Sequence, residues 1–282
     1  MNRKDAEALI KREWPQRADE LVKLLRPEAR LVPKLTADGK IAVGQSKFGG
    51  SPDVPQGFAW PRWNDKPISF LVQLDTDEVL KAAPSLPLPK GGLISVFYAN
   101  EEQPWGLYPT DRGGIQTYFW PKGTALQRMQ SPKDLDKNWL LNAAQIQVSE
   151  GVDLPDPSDE TPLRPFKLKK GDDDRLEALR AIMSEPGEGS PLHRLFGYPN
   201  IIQNSMEDEC ETTCGDISAN SREEWDAKMQ SRVGDWLMWL QFDSDDSLHC
   251  MWGDAGRLYF WIRKQDLAPA RFDRGWMCLQ CY

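Results

Sequence analysis

The fold is decided by the stretch Leu71-Val72-Gln73-Leu74-Asp75-Thr76-Asp77. The chain contains a related stretch far downstream, Trp239-Leu240-Gln241-Phe242-Asp243-Ser244-Asp245. In both, an apolar run with a central glutamine leads into an Asp-x-Asp pair. The apolar run predicts a buried strand. The carboxylates predict a turn, since aspartate side chains accept hydrogen bonds from nearby backbone amides. A strand followed by an acidic turn is therefore expected at two places in the chain.

The sequences around these two stretches also agree in type and order. Each is preceded by a loop, Phe48-Gly49-Gly50-Ser51-Pro52-Asp53 in one half and Phe196-Gly197-Tyr198-Pro199-Asn200 in the other. Each is followed by a glycine and a strand-like run, Gly92-Leu93-Ile94-Ser95-Val96 and Gly256-Arg257-Leu258-Tyr259-Phe260. Short strings can agree by chance, but the shared order predicts an internal duplication. The predicted fold class is α+β, with a mainly antiparallel sheet built from two pseudo-twofold repeats, an N-terminal helical segment and peripheral helices.

Helical spacing of apolar residues extends over residues 3–25, and Pro15 interrupts it, which predicts a kink or two consecutive helices. The string Ala37-Asp38-Gly39-Lys40 predicts a hairpin turn. The predicted organisation is an N-terminal helical segment over residues 1–35 and one α+β domain over residues 36–282. Within that domain we place a first repeat at about 45–125, an acidic insertion at about 150–190 and a second repeat at about 191–282.

The 282-residue chain has the composition of a globular protein, with 40% hydrophobic and 28% charged residues. Its longest apolar runs are too short to span a bilayer, so no membrane partner is expected. The first residues lack an apolar signal region, which predicts a cytoplasmic protein. The 12 tryptophans predict tryptophan-rich cores, and a surface pocket lined by some of these rings is the alternative.

The formal net charge is −8, and the negative charge is concentrated in one part of the chain. Between residues 145 and 250 there are 23 Asp or Glu against 10 Lys or Arg, a net charge of −13. This balance argues against a nucleic-acid partner, because phosphate binding needs basic residues. It favours a basic protein partner, and acidic loops that only keep the protein soluble are the alternative. The candidate partner-facing residues are Asp172, Asp173, Asp174, Glu207, Asp208 and Glu209.

The two Asp-x-Asp turns, together with Trp252-Gly253-Asp254, supply a second set of candidate binding groups. A cleft lined by tryptophan and carboxylates between the two repeats could hold a sugar or a cationic ligand. Such oxygen-rich clusters also bind Ca²⁺ or Mg²⁺, but the EF-hand spacing is absent. Hydrogen-bonded turns explain the same aspartates without any chemistry. The candidate ligand-binding residues are Asp75, Asp77, Asp243, Asp245, Trp252 and Asp254.

No catalytic or metal-binding motif in the sequence is complete. Cys210-x-x-x-Cys214 and Cys278-x-x-Cys281 resemble two halves of a zinc site. A regular strand at the chain end, however, would place Cys278 and Cys281 on opposite faces. No Gly-x-Ser-x-Gly, P-loop or Rossmann motif is present. We therefore expect no catalytic residues, no metal and no cofactor, and a protein better suited to binding than to catalysis.

Several motifs resemble a known family. In the first half they are Lys47-Phe48-Gly49-Gly50, Trp60-Pro61 and Phe70-Leu71-Val72-Gln73-Leu74. In the second half they are Phe196-Gly197-Tyr198-Pro199 and Trp252-Gly253-Asp254-Ala255-Gly256. Over roughly residues 47–282 the chain resembles the YwqG-like family, also called domain of unknown function 1963.

The resemblance implies a bacterial, cytoplasmic α+β protein of a family that is mostly without assigned activity. It provides no catalytic residues to carry over. Some members are associated with polymorphic toxin systems, where they look like immunity proteins. The leading hypothesis is therefore an immunity-type, protein-binding module that neutralises a basic toxin by covering its active site. The alternative is a small-ligand-binding protein or enzyme with a tryptophan and carboxylate cleft between the repeats.

Overall fold

The computed structural model describes residues 1–183, 191–214 and 219–282, so residues 184–190 of the predicted acidic insertion lie outside the described residues. The helices are α1 (Arg3–Glu13), α2 (Ala18–Leu24), α3 (Thr76–Ala82), α4 (Glu160–Leu163), α5 (Asp172–Met183), α6 (Glu207–Cys214), α7 (Arg222–Val233) and α8 (Lys264–Leu267). Within the described ranges, none of these helices has both the length and the apolar character needed to span a membrane. The strands are β1 (Arg26–Leu35), β2 (Lys47–Phe48), β3 (Asp53–Pro55), β4 (Arg62–Trp63), β5 (Lys66–Pro67), β6 (Ser69–Asp75), β7 (Gly92–Tyr98), β8 (Ile115–Pro121), β9 (Leu126–Arg128), β10 (Ala144–Asp153), β11 (Arg194–Phe196), β12 (Trp236–Asp243), β13 (Arg257–Arg263) and β14 (Trp276–Gln280).

Ten of these strands form one sheet in the order β14-β13-β12-β11-β1-β10-β2-β6-β7-β8. Its centre is the long antiparallel pair of β1 and β10, which stays in register from Arg26 opposite Asp153 to Leu35 opposite Ala144. The pairs on both sides of this centre are antiparallel as well. The prediction of an α+β protein with a mainly antiparallel sheet is confirmed.

The sheet curls over one apolar core to which both halves contribute. Phe48 on β2 meets Phe242 on β12, with ring centroids 5.2 Å apart. Tyr98 at the end of β7 meets Trp252, with ring centroids 5.7 Å apart. Because the two partners in each contact lie on opposite sides of the central pair, one face of the sheet folds in on itself and excludes water.

This curling brings the two outermost strands, β8 and β14, towards each other at a seam. The loop after β7 crosses to β14, where the Leu279 N–H donates to the Trp105 carbonyl at 2.9 Å. The Trp276 indole N–H donates to the Gly106 carbonyl at 2.8 Å. Gly106 has φ +80°, and a Cβ there would lie 1.8 Å from the Met277 carbonyl oxygen. Glycine is therefore required for the loop to close one end of the seam.

The N-terminal helices pack against the acidic insertion. Leu9 and Ile10 of α1 share a small apolar core with Leu176 and Leu179 of α5. The 3-10 turn Pro15–Arg17 separates α1 from α2, as the proline predicts. Two segments far apart in sequence thus form one helical layer beside the sheet.

The structure differs from the sequence prediction at two places in the first 50 residues. The helices end at Leu24, and Arg26–Leu35 is strand β1. Residues 37–40 contain the 3-10 turn Asp38–Lys40, but no hairpin forms there, because β10 lies between β1 and β2 in the sheet. Apolar residues of β10, such as Val148 opposite Leu31, are the cross-strand partners of β1.

Candidate functional site

The Asp-x-Asp pair of the first half serves local structure. Asp75 is the N-cap of α3, and its carboxylate accepts from the N–H groups of Asp77 and Glu78 at 2.9 and 3.1 Å. Asp77 forms an ion pair with Lys122 at 2.7 Å and accepts from the Gly91 N–H at 3.0 Å. These contacts, led by the Lys122 hydrogen bond, lower the pKa of Asp77. Both carboxylates hold the turn between β6 and α3.

The equivalent pair of the second half is buried. Asp243 accepts from the Leu192 N–H at 2.8 Å and pairs with Arg257 at 3.0 Å. Asp245 lies 3.1 Å from His193 Nε2. The Asp243 N–H donates to His193 Nδ1 at 3.1 Å, which assigns the ring proton to Nε2. Burial opposes ionisation of Asp245, but the hydrogen bonds from His193 and Ser247 outweigh it and lower the pKa of Asp245 to about 2.

Trp252 and Asp254 lie in different surroundings from each other. Trp252 is fully buried, and its indole N–H donates to the Asp243 carbonyl at 3.0 Å. Asp254 is exposed. Among the described residues, no hydrogen bond or ion pair joins the first Asp-x-Asp turn to the second. The four aspartates of the Asp-x-Asp pairs hold two separate turns, Trp252 packs in the core, and Asp254 is exposed.

The six candidate partner-facing residues lie in the first turns of α5 and α6. Asp172 pairs with Arg17 at 2.8 Å, and Glu207 is buried at 4% exposure. Asp173, Asp174 and Asp208 are exposed, while Glu209 is half-buried and accepts from the Asn204 amide at 3.0 Å. Carboxylates in a first turn are stabilised by the helix dipole, which accounts for much of this clustering.

Three of the four cysteines that resemble a zinc site come together on one side of β14. Cys210 Sγ and Cys278 Sγ are 3.7 Å apart, and the Cys214 thiol donates to the Cys210 carbonyl at 2.9 Å. Cys281 belongs instead to the central core on the other face, as strand alternation predicts. Burial raises the pKa of the Cys214 thiol to about 12. Within the ranges that the structure describes, no group of three or more potential ligands could hold a metal ion.

A cleft opens at the seam where β8 and β14 approach each other without pairing. We call it the seam cleft, and its volume is about 260 Å³. Its walls come from the end of the β7–β8 loop, from β8, from the bulge of β12, and from the segment that leads into β14. The residues that line it are Arg112, Gly113, Ile115, Gln116, Thr117, Tyr118, Trp239, Phe260, Phe272, Asp273, Gly275 and Trp276.

Four buried aromatic side chains form the apolar side of the seam cleft: Trp239, Phe260, Phe272 and Trp276. Trp239 is the bulged residue of β12, and a bulge re-aims a side chain relative to its neighbours. Its ring centroid lies 4.9 Å from that of Phe272 and 6.0 Å from that of Phe260, both edge to face. This edge-to-face packing holds the rings in fixed positions, so the apolar surface is pre-formed.

The polar side of the seam cleft contains one acidic and one basic residue. Asp273 is paired with Arg271 through two contacts of 3.0 and 2.9 Å, and this pairing lowers the pKa of Asp273. Arg112 is exposed, and its guanidinium carbon lies 4.9 Å from the centroid of the Trp276 ring. Among the described residues, no acceptor is hydrogen-bonded to the Arg112 guanidinium. The cleft therefore offers a cation over an aromatic surface.

Sequence reasoning missed the residues of the seam cleft. The excess of tryptophan predicts tryptophan-rich cores, with a tryptophan-lined pocket as the alternative, and nothing in the sequence distinguishes Trp239 and Trp276 from the rings of the cores. Their juxtaposition depends on the curling of the sheet, which brings together strands more than a hundred residues apart. No short-range motif carries that information.

Residues 46–281 match a family described as a domain of unknown function, DUF1963. The chain belongs to the DUF1963 family. The resemblance found in the sequence is thereby confirmed. No curated protein matches the chain. The DUF1963 region contains every residue that lines the seam cleft, whereas α1, α2 and β1 precede it.

Proposed function

We propose that this chain is a binding protein that takes a small, largely apolar molecule into the seam cleft. The observation that carries the proposal is the set of four buried aromatic rings that meet a guanidinium where the outermost strands approach. A concave, mostly apolar pocket with a few polar groups is the usual form of a small-molecule site. Its volume of about 260 Å³ suits a compact ligand.

The environment of His193 supports binding rather than catalysis. The side chain of His193 has no exposed surface, and both ring nitrogens are engaged by Asp245 and by the Asp243 N–H. Burial lowers the pKa of His193. A general base must reach a substrate proton, and this imidazole is enclosed. The His193–Asp245 pair instead anchors the loop before β11 to the turn after β12.

The ligand-binding proposal predicts that filling the cleft abolishes ligand stabilisation. We expect apolar compounds that raise the melting temperature of the parent protein to have no effect on Thr117→Phe, because the larger ring occupies the cleft. Ligand binding to the native state alone stabilises it by about 2.7 kcal/mol at a concentration of 100 Kd. Thermal unfolding with a library of aromatic and aliphatic compounds measures this. Thr124→Phe, at the turn after β8, is the matched control and should respond like the parent. A library that stabilises neither protein contradicts the proposal.

A second candidate function is an immunity-type module that binds a basic toxin. It is favoured by the exposed carboxylates of Asp173, Asp174 and Asp208, which have no ion-pair partner among the described residues. Unpaired surface carboxylates accelerate the approach of a basic protein. The experiment is affinity capture from the host at low and high salt, with the triple Asn variant of these residues as comparison. Capture of one basic protein that is lost with the variant supports this function, and equal capture by both proteins contradicts it.

We also propose that the two halves arose by duplication of one unit. Supporting this, Gln73 lies opposite Lys47 on β2, and Gln241 lies opposite Arg194 on β11. The residue pairs next to these glutamines also correspond between the two halves. In each half a β-bulge adjoins that next pair.

The hydrogen bonds of the two buried glutamines correspond. The Gln73 side-chain oxygen accepts from the Asp53 N–H at 2.9 Å, and its amide nitrogen donates to the Gln45 carbonyl at 2.7 Å. The Gln241 oxygen accepts from the Asn200 N–H at 2.9 Å, and its nitrogen donates to the Leu192 carbonyl at 2.9 Å. In both halves the glutamine side chain, which lies on one strand, is hydrogen-bonded to the residues that begin and end the neighbouring loop.

The correspondence predicts a loss of stability on removal of either glutamine. Gln73→Leu and Gln241→Leu should each lower the free energy of unfolding by about 2 kcal/mol, since each leaves buried backbone groups without partners. Chemical denaturation measures the loss, and Gln147→Leu on the exposed side of β10 should change it by less than about 0.5 kcal/mol. A large loss for one glutamine and none for the other would contradict the equivalence.

A further inference from the structure

We infer that the ligand of the seam cleft is a compact aromatic carboxylate, and that Arg112 binds its carboxylate group. This inference rests on the proposed ligand-binding function and adds the charge and shape of the ligand. It is carried by the polar groups of the cleft that have no partner among the described residues, because a ligand can supply those partners.

The unengaged charge of the cleft is positive. The Asp273 carboxylate is held by Arg271 at 2.9 and 3.0 Å, so it is already neutralised. The Arg112 guanidinium is in contact with the face of Trp276, and no ion pair joins it to any described residue. A planar guanidinium matches the two oxygens of a carboxylate, and the ring beneath it limits the orientations available.

The edge of β8 adds a hydrogen-bond donor beside Arg112. The Ala99 N–H donates to the Gly114 carbonyl and the Lys122 N–H donates to the Gly91 carbonyl, both at 2.8 Å. Backbone hydrogen bonding alternates along an antiparallel strand. The backbone N–H and C=O groups of the even-numbered residues between Gly114 and Lys122 therefore bond to β7. The backbone groups of Thr117 therefore point away from β7, at the open edge that lines the cleft.

The remaining amide of the cleft is already occupied. The Gln116 side-chain nitrogen donates to the carbonyls of Arg62 and Gly113 at 3.1 Å, and its oxygen accepts from the Tyr118 hydroxyl at 2.6 Å. Arg112 and the Thr117 N–H are thus two donors of the cleft for which the described residues supply no acceptor. Two donors at the mouth and four aromatic rings behind them fit a carboxylate attached to a flat apolar body.

The test compares three probes of the same shape: phenylacetate, phenylacetamide and phenethylamine. We expect phenylacetate to bind the parent protein about tenfold more tightly than phenylacetamide, because a charge-assisted hydrogen bond replaces a neutral one. Phenethylamine should bind most weakly, since its ammonium group faces a guanidinium. Tryptophan fluorescence titration and calorimetry measure all three affinities. The preference for phenylacetate should decline at high salt, because Arg112 is exposed.

Arg112→Gln should remove the preference for phenylacetate and leave the affinity for phenylacetamide unchanged. The matched control is Arg222→Gln, because Arg222 also lies over an aromatic ring, that of Trp225, at 4.8 Å. This control should bind like the parent. If Arg112→Gln weakens both probes equally, or if phenylacetamide binds as well as phenylacetate, the carboxylate inference is overturned while ligand binding stands. If none of the three probes binds the parent protein, the inference is overturned together with the proposed function.

Discussion

Replacing Asp53 by alanine is expected to lower the free energy of unfolding by about 3–5 kcal/mol, because a buried charge network loses its anion. Asp53 has no exposed surface. Its carboxylate accepts from the Gly44 N–H at 2.9 Å, from the Gln73 amide at 2.7 Å and from Arg128 Nε at 2.9 Å. Burial opposes ionisation of Asp53, but these donors, led by Arg128, outweigh it and lower its pKa.

The loss is large because two cations stay behind. Lys47 is fully buried and donates to Asp38 at 2.8 Å, and Arg128 shares the same neighbourhood. Burial lowers the pKa of Lys47, which indicates that its charge depends on the nearby carboxylates. Asp53→Asn, which keeps the shape and part of the hydrogen bonding, should lose less than Asp53→Ala.

Chemical denaturation of Asp53→Ala and of a surface control tests this. The control is Asp134→Ala, which removes an exposed ion pair with Arg62 and should change the free energy of unfolding by less than about 1 kcal/mol. Equal, small changes in the two variants would show that the Asp53 network does not stabilise the loop between β2 and β3.

The second large effect is a loss of stability between pH 5 and pH 8, caused by Asp159 and Glu207. Burial raises the pKa of Asp159 to about 8, with a further contribution from the Glu207 charge, and burial also raises the pKa of Glu207 to about 6. Both folded-state values lie above the unfolded ones, so the folded protein holds more protons than the unfolded chain in this range. Stability should therefore fall as pH rises, by roughly 5 kcal/mol over the range.

Asp159→Asn should remove most of this slope. At pH 5 we expect the variant and the parent to have similar stability, because Asp159 is protonated in the fold. At pH 8 the variant should be the more stable of the two, since it avoids a buried negative charge beside Glu207. Thermal and chemical unfolding at a series of pH values measure the slope. Asp173→Asn, at an exposed carboxylate of α5, is the control and should keep the parent slope. A parent protein whose stability is constant from pH 5 to 8 contradicts the prediction.

Strands β6 and β12 were predictable because their local sequence agrees with their environment. The run from Leu71 to Leu74 and the run from Leu240 to Phe242 are apolar apart from one glutamine each, and both faces of each run are buried in the structure. A serine three residues before a glutamate is a local signal for a helix N-terminus, and the Ser221 hydroxyl accepts from the Glu224 N–H at 3.1 Å. In each case the signal lies within a few residues.

The central strand β1 was not predictable, because Pro27 and Pro33 argue against a strand in the middle of a sheet. The structure explains both prolines. The Leu31 N–H donates to the His193 carbonyl, so odd-numbered residues of β1 direct their N–H positions towards β11. β11 pairs only with residues 28–30 of β1, so neither proline removes a hydrogen bond of the ladder. Pro27 and Pro33 are compatible with a central strand only because β11, which is distant in sequence, is short.

The candidate site was also only partly predictable from the sequence. Asp75, Asp77, Asp243 and Asp245 are recognisable in the sequence because they share a spacing, but the spacing reflects turn geometry. The rings of the seam cleft share no spacing. Trp239 and Trp276 meet Thr117 only after the sheet has curled.

The position of β1 also has a consequence for the order in which the chain can fold during synthesis. β1 is made early, but its partners β10 and β11 end at Asp153 and Phe196. The pairing that joins the two halves therefore cannot begin until more than half of the chain has left the ribosome. Long-range pairings of this kind slow folding and leave strand edges exposed in the meantime. For the nascent protein, the period before β10 and β11 emerge is the one in which misassembly and aggregation compete most strongly with the native fold.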